Sequence, residues 1–511
     1  MRKEVVKAVS VVFIASFCTM VIELVAGRIL APYVGVSLYT WTSIIGVVLA
    51  GISVGAYLGG ILADRFPRPR TLGWLLFLSG LAALSISPLT ASVARWSLQT
   101  SLMLRILFVT AVIFFLPSCL LGMISPVVVR LALDRLERAG NVVGRIYAFS
   151  TLGSILGTFA TGFALISWMG TRNILLLMGV ILVVSAPLFG GAFLRRRVFL
   201  ILFPALLGVL WAVHGQAFKK PRDENSYFYE ETDYFSIELK KIERKGQRLE
   251  AVILDNLIHS YVDLADPLHL EYDYERVYAE MVAWKAPPEA EFRALIIGGG
   301  GYTFPRYLEA RYPRARIDVI EIDPRLTEIA HRHLGLSPQT RIRSFNQDAR
   351  WFVMNSPERK VYDFIFTDAF NDLTIPYHLT TREFSQMLGA LLKPGGMLMA
   401  NIIDDFPAGL FMPSYVRTLQ EVFGPRRVCL VADSDFSEMG TSTMIVAASQ
   451  ADHPWEDLPD ESGGQCFVLA PPELNEKLKN RPAVLLTDDH APVDNLVAPM
   501  FEARFGRKRS H

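Results

Sequence analysis

The sequence is poor in cysteine and net charge, and it lacks several familiar site motifs. It has four cysteines among 511 residues, without a CxxC pair or a His/Cys cluster, so we expect no zinc or other metal site and no disulfide framework. A formal net charge of +1 gives no reason to expect a nucleic acid partner. The Walker signature is absent. The dinucleotide spacing GxGxxG is absent too, because Thr303 stands where it needs glycine.

Long apolar segments dominate residues 1–218, where charged residues are few. Each segment is near the ~20 residues that cross a bilayer, which predicts a multi-pass α-helical membrane domain in contact with lipid. Glycines at 51, 55 and 59 predict close helix packing in the second segment. No small-residue cleavage site follows the first segment, so we expect a retained anchor. The predicted spans are 9–30, 41–63, 71–93, 104–125, 147–167, 173–194 and 198–218.

The basic residues indicate the orientation of these spans. Arginines and lysines cluster before the first span and after the second, fourth and sixth spans, which places all of them on one side, the cytoplasmic side. Seven spans would then place the C-terminal half outside, although Lys219, Lys220 and Arg222 also favour the cytoplasm. We therefore expect an inner or plasma membrane protein with a cytoplasmic C-terminal domain, and either one segment that is re-entrant or interfacial or a number of spans that differs from seven by one.

The C-terminal half has the composition of an ordinary soluble protein. Two strands, Phe235–Leu239 and Leu249–Leu254, predict a small β unit after a polar linker. From residue 293, apolar runs and helical patterns alternate, which predicts a Rossmann-like, methyltransferase-type α/β domain with a mostly parallel sheet. The predicted domains are 1–218 (transmembrane), 219–262 (linker and small β unit), 263–450 (nucleoside-binding catalytic domain) and 451–511 (C-terminal extension).

Polar residues stand where four successive predicted strands end. Glycines 298–301 follow the first strand, Glu321 ends the second, Asp348 follows the third and Asp368 ends the fourth. Parallel strands present these positions at one edge of the sheet, where glycines admit a nucleoside and a carboxylate accepts ribose hydroxyls. Structural roles are the alternative: Glu321 or Asp323 caps the helix at Pro324, Asp348 caps the helix 349–355, and Asp368 and Asp372 are solvated loop acids.

Together these residues resemble the polyamine aminopropyltransferases, the spermidine synthase family, over roughly 228–450. The resemblance includes the Leu254-Asp-Asn256 turn, the segment 278–281 and Val319-Ile-Glu-Ile-Asp323. It implies transfer of an aminopropyl group from decarboxylated S-adenosylmethionine to an amine, with release of methylthioadenosine and without a permanently bound cofactor. It assigns catalysis to Asp368, nucleoside binding to Gly298, Gly299, Gly300, Glu321, Asp348 and Ala349, and amine positioning to Tyr278. A homo-oligomer is also implied.

The sequence departs from the family pattern where the amine should bind. The family's glycine loop usually ends in an acid, but this chain has Gly301 there. Phe235 stands where the family has a nucleoside-binding glutamine, and Ala279 stands where it has the histidine before the Glu-Met pair. The acceptor need not be putrescine. Other polar residues near the predicted cleft then become amine-binding candidates, chiefly His259, Asp273, Asp372 and His378, and also Tyr261, Asp263 and Tyr302.

Two other functions stay open from the sequence. An S-adenosylmethionine-dependent methyltransferase has the same order of strands and helices, although the small β unit favours aminopropyl transfer. A non-catalytic membrane transporter or sensor that binds a nucleoside or polyamine is the second alternative. The lost amine-binding residues favour a non-catalytic protein, and the intact Asp368 disfavours it.

Overall fold

The computed structural model describes residues 2–34, 37–93, 102–133, 139–191, 225–255, 257–369, 375–437, 439–453, 455 and 466–506. The chain divides into two compact units, residues 1–220 and 221–511.

The first unit is helical. Six of its described helices are long and apolar enough to cross a membrane, and each overlaps one of the first six predicted spans. The seventh predicted span, 198–218, lies outside the described residues. The helices are Arg2–Val34, Leu38–Arg65, Pro69–Val93, Leu102–Ala132, Ala139–Ala160 and Thr171–Phe189. The fifth of them continues through a π-helical turn, Thr161–Leu165, into a short helix, Ile166–Trp168.

Glycines bring the second and fourth of these helices into backbone contact. A Cβ atom at Gly55 would lie 2.0 Å from the Cys119 carbonyl oxygen, and one at Gly59 would lie 2.6 Å from Met123 Cα. Only a residue without a side chain fits at such an approach. The predicted role of the glycine stripe in helix packing is therefore confirmed.

The second unit begins with a four-stranded antiparallel sheet in the order β1-β2-β3-β4. Its strands are β1 (Ser226–Glu231), β2 (Ser236–Arg244), β3 (Gln247–Leu254) and β4 (Leu257–Val262). The prediction of two strands after a linker was wrong: the sheet has four strands, and β1 lies within the predicted linker. β1 is a polar, aromatic edge strand and β4 is interrupted by His259 and Ser260, so neither has the clean apolar alternation of a buried strand.

An eight-stranded sheet follows, in the order β12-β10-β11-β9-β8-β5-β6-β7. The pairs from β9 through β7 are parallel, as predicted, and the pairs that involve β10, β11 and β12 are antiparallel. The strands are β5 (Arg293–Ile297), β6 (Arg316–Ile320), β7 (Arg343–Phe345), β8 (Tyr362–Thr367), β9 (Leu392–Asp405), β10 (Val428–Ala432), β11 (Thr441–Ser449) and β12 (Phe467–Leu469).

Helices accompany this sheet, and both of its faces are buried. Along β8, Phe364 and Phe366 pack into one apolar cluster while Ile365 packs into another, as expected when side chains alternate between two covered faces. The helices are Asp273–Lys285, Thr303–Arg311, Pro324–His333, Ala349–Asn355, Arg382–Leu391, Phe411–Phe423, Pro471–Leu478 and Val493–Gly506. The region beyond residue 450 contributes β12 to the same sheet.

Candidate functional site

The glycine loop connects β5 to the helix Thr303–Arg311 and passes against the end of β8. Gly298 has a φ of +100°, and a Cβ atom there would lie 2.3 Å from the Asp368 carbonyl oxygen. Glycine is required here for the backbone conformation and for this close approach. The loop and the end of β8 therefore form one continuous wall.

Glu321, at the end of β6, holds the glycine loop in place. Its Oε2 atom accepts hydrogen bonds from the N–H groups of Gly299 (2.8 Å) and Gly300 (3.3 Å), and its Oε1 atom accepts one from Asp323 (2.9 Å). Burial raises the pKa of the Glu321 carboxyl, and these N–H groups lower it. Asp323, not Glu321, caps the helix Pro324–His333, because its side chain accepts from the Arg325 N–H, which decides that alternative.

Asp348 follows β7 and has two contacts. One oxygen accepts from the Trp351 N–H at 2.8 Å and caps the helix Ala349–Asn355, as the structural alternative predicted, while Oδ2 lies 3.2 Å from His378 Nε2. Both residues line a cavity of about 210 Å³ with Glu321, Ala349 and Phe235. The cavity therefore lies at the carboxyl ends of β5, β6 and β8, where α/β sheets bind ligands.

Asp368, directly after β8, is held by two neutral hydrogen-bond donors. Tyr274 donates to Oδ2 at 2.9 Å and the side-chain amide of Asn401 donates to Oδ1 at 2.7 Å. Burial raises the pKa of the Asp368 carboxyl above its ordinary value, and both donors partly oppose this increase. The result is a carboxylate fixed in orientation and more basic than one in water.

Asp368 also lines a second, larger cavity of about 640 Å³. Its size is typical of small-molecule sites, which span ~300–1,000 Å³. Five aromatic side chains and two carboxylates, those of Asp368 and Glu275, contribute to its wall. The aromatic residues are Tyr272, Tyr274, Tyr278, Phe304 and Phe366. Aromatic faces beside carboxylates are suited to bind an organic cation.

The two cavities meet at a shared boundary. His259, Gly298, Gly300 and Asp368 line both of them. Burial lowers the pKa of His259 to about 4, so its imidazole is neutral at neutral pH. Asp368 and a neutral His259 therefore belong to the walls of both cavities.

Several known proteins resemble this chain. No family model matches the chain. The polyamine aminopropyltransferase of Vibrio vulnificus (strain CMCP6) is 31% identical over 225 residues, which cover 44% of this chain and 69% of the relative. The chain belongs to the polyamine aminopropyltransferase family. It is a transferase, as predicted.

Two weaker likenesses accompany this one. The eEF1A lysine and N-terminal methyltransferase of Homo sapiens is 27% identical over 152 residues, covering 26% of this chain and 22% of that protein. The crystal structure of a probable spermidine synthase from Corynebacterium glutamicum ATCC 13032 has 21% sequence identity and a TM-score of 0.44, covering 52% of this chain and 96% of that one. Membership of the aminopropyltransferase family rests on sequence identity to relatives such as the Vibrio protein, and not on this fold likeness.

The predicted nucleoside residues lie together in this family member. Gly298, Gly300, Glu321, Asp348 and Ala349 all line the smaller cavity. Gly299 lies in the same loop and lines the larger cavity. Their assignment to nucleoside binding stays a prediction.

The predicted amine-binding residues are dispersed. Tyr278 lines the larger cavity, whereas His378 lines the smaller one with Asp348. Asp273 is half exposed, pairs with Arg276 and borders a third cavity of about 280 Å³. Asp372 lies outside the described residues.

The other suggested substitutes have structural contacts. Tyr302 is fully buried and its hydroxyl lies 3.0 Å from those of Thr327 and Ser344. One carboxylate oxygen of Asp263 accepts from the Ala265 and Asp266 N–H groups. Tyr261 packs against Tyr272.

Sequence reasoning did not assign Glu275 or Asn401 to the site. Glu275 is 3% exposed in the first turn of the helix Asp273–Lys285, and Asn401 is 3% exposed in β9. Both line the larger cavity. One signal was available for Asn401: it is a polar residue within an apolar strand next to the strand that ends at Asp368.

Proposed function

We propose that the protein transfers the aminopropyl group of decarboxylated S-adenosylmethionine to an amine and releases methylthioadenosine. The observation that carries this proposal is the position of Asp368 on the boundary between two cavities. The smaller cavity contains the candidate nucleoside residues, and the larger one has the aromatic and acidic wall suited to an amine. Family membership agrees with this reaction class.

The reaction needs a neutral amine beside a sulfonium ion. The amine enters as an ammonium ion and loses one proton to the Asp368 carboxylate. Its nitrogen lone pair then forms a bond with the aminopropyl carbon attached to sulfur. The C–S bond breaks and its electron pair stays on sulfur, so a neutral thioether leaves and the product nitrogen carries the positive charge.

The chain contributes position and charge to these steps. Tyr274 and Asn401 orient Asp368 by hydrogen bonds. Glu321 fixes the glycine loop, which forms part of the proposed nucleoside site. Alignment of the two reactants across one boundary removes much of the entropic barrier of a two-substrate reaction.

Product identification tests the proposal. The full-length protein, purified in detergent, is incubated with decarboxylated S-adenosylmethionine and a panel of amines, and the thioether is identified by mass spectrometry. Methylthioadenosine in equal amount to an aminopropylated amine supports the proposal. Absence of both products with every amine contradicts it.

Methyl transfer is the second candidate, because the human methyltransferase resembles part of the chain. It predicts adenosylhomocysteine from S-adenosylmethionine in the same assay. The extra four-stranded sheet, whose residue His259 lines both cavities, favours aminopropyl transfer.

We infer further that the helical unit spans the inner or plasma membrane and that the catalytic unit lies on its cytoplasmic side. The clusters of arginine that follow the second and fourth spans place those ends in the cytoplasm, and an even number of spans, such as the six found among the described residues, returns the chain to that side. A fluorescent reporter fused to the C-terminus should fold and fluoresce in the cytoplasm, whereas an alkaline phosphatase fusion at the same place should be inactive. An active phosphatase fusion would show the opposite orientation, with the catalytic unit outside the cytoplasm.

A further inference from the structure

Glu23 is an acidic residue inside the first helix of the helical unit. The six spans of this unit contain two acidic residues, Glu23 and Asp64. Asp64 is exposed at the end of the second span and pairs with Arg130. Glu23 lies eight residues before the end of the span Val5–Ala31, so about 12 Å of helix separates it from the nearer end. A carboxyl at that depth is costly in lipid and is a candidate for function.

The described residues do not neutralise Glu23. It is half-buried, and they give it neither a hydrogen bond nor an ion pair. Arg28 follows it by five residues, a spacing that places the two side chains on different faces of the helix, and Arg28 interacts elsewhere. A carboxylate in such surroundings needs a proton or another positive charge beside it.

The first helix runs beside the fifth, Ala139–Ala160, in the same direction. A Cβ atom at Gly153 would lie 2.4 Å from the Phe13 carbonyl oxygen. One turn further along both helices, a Cβ atom at Gly157 would lie 2.7 Å from the Phe17 carbonyl oxygen. Equal steps along the two helices therefore keep their backbones in contact.

Ser16 and Ser150 contact each other on one flank of this helix pair, with their hydroxyl oxygens 2.6 Å apart. Glu23 follows Ser16 by seven residues, and Thr161 follows Ser150 by eleven; both spacings return to the same face of a helix. Glu23 and Thr161 therefore lie on the same flank. They are also nearly level, because Glu23 is six residues and Thr161 four residues beyond the second backbone contact described above.

Thr161 opens the π-helical turn, which contacts the first helix. Such turns within α-helices frequently mark functional sites. The Thr161 hydroxyl donates to the Gly157 carbonyl oxygen, and Thr19, one turn before Glu23, donates to that of Ala15. Because their hydrogens are already used, these hydroxyls offer oxygen lone pairs to a ligand. The flank thus presents acceptors and one carboxyl, which suits a cation and not an anion.

We propose that Glu23 and Thr161 form a cation site between the first and fifth helices of the helical unit. The ligand is a small monovalent cation. A proton, a sodium ion and a primary ammonium ion share this chemistry, since each neutralises one carboxylate and is bound by oxygen acceptors. The site belongs to the helical unit and does not depend on aminopropyl transfer.

Dicyclohexylcarbodiimide tests the site, because this apolar reagent enters lipid and modifies protonated carboxyls. Full-length protein in liposomes is labelled at constant ionic strength, and the adduct on Glu23 is quantified by mass spectrometry. We expect the adduct to decrease at least about tenfold when the bound cation changes, as mass action requires near saturation. A decrease with Na⁺ or with butylammonium at fixed pH identifies that ion, and a decrease only between pH 5 and 9 identifies the proton.

An adduct that neither pH nor either ion changes would overturn the proposal, and so would the absence of an adduct on Glu23. The variant E23Q verifies the labelled position, because glutamine cannot form the adduct. The variant T161V keeps the shape of the side chain and removes its oxygen, so the cation concentration at half effect should rise roughly tenfold.

The matched control S85A removes an exposed hydroxyl of the third helix that also donates to a backbone carbonyl, and it should be labelled like wild type. An unchanged half-effect concentration in T161V would overturn the pairing of Thr161 with Glu23.

Discussion

Tyr274 donates a hydrogen bond to Asp368, which lies 94 positions later in the chain, with Oη and Oδ2 2.9 Å apart. The bond joins the helix Asp273–Lys285 to the end of β8 in the wall of the larger cavity. Because it stabilises the charged form of the carboxyl, it lowers a pKa that burial raises. The two elements are thus connected at the atom proposed to accept the proton.

The variant Y274F should shift the pH dependence of the reaction. Loss of the donor raises the pKa of the Asp368 carboxyl further, so the rate should fall at a higher pH than in wild type when the solution is acidified. We expect the acidic limb of the kcat profile to shift upward with a moderate loss of maximal kcat, measured from pH 5 to 9.

The control for this variant is Y229F, because Tyr229 is exposed on β1 and contacts Glu231. Its profile should match wild type. An unshifted acidic limb in Y274F would show that Asp368 is not the group that titrates.

The variant E321Q should weaken nucleoside binding. Glutamine keeps the shape of the side chain but replaces a charged acceptor of two glycine N–H groups by a neutral one, which loosens the loop. We expect roughly tenfold weaker binding of methylthioadenosine by calorimetry. The matched control E328Q changes a half-buried carboxylate that pairs with Arg325 and Arg332, and should bind like wild type. Equal affinity in E321Q would remove Glu321 from the site.

The variant G301A should destabilise the second unit. The added methyl group would overlap Ser260 and Val262, and such overpacking costs about 1–3 kcal/mol. We expect a lower melting temperature than wild type, whereas G440A, whose added methyl group would have its nearest neighbour 4.0 Å away, should melt like wild type. Wild-type stability in G301A would mean that the loop has room for a side chain, and an acid could then be restored there.

The sequence predicted the central part of the fold because its signals are local. The strand Arg293–Ile297 and the helix Pro324–His333 begin at the predicted residues, 293 and 324, since a β-branched run and an Asp-Pro start mark them. The edge strands β1 and β4 were missed because an edge strand need not alternate polar and apolar residues. The pairing of β12 with β10 depends on contacts distant in sequence.

The sequence predicted the part of the site that lies at the ends of the strands, but not the part contributed by the helix Asp273–Lys285. Glu321, Asp348 and Asp368 follow strands, and parallel strands bring their ends together, so their proximity follows from local pattern. Glu275 gave no such signal, because a glutamate in the first turn of a helix is ordinary in any soluble protein. Its burial and its position beside Asp368 arise from the packing of the helix against the sheet.

The variant D368N tests the central claim most directly. Asparagine keeps the size of the side chain but cannot take a proton from the amine, so a full-length D368N protein should bind methylthioadenosine like wild type and lose at least about 100-fold in kcat. The control D452N changes an exposed aspartate that pairs with Arg427 and should be fully active. We predict retained binding with lost transfer; retained transfer in D368N would contradict the account.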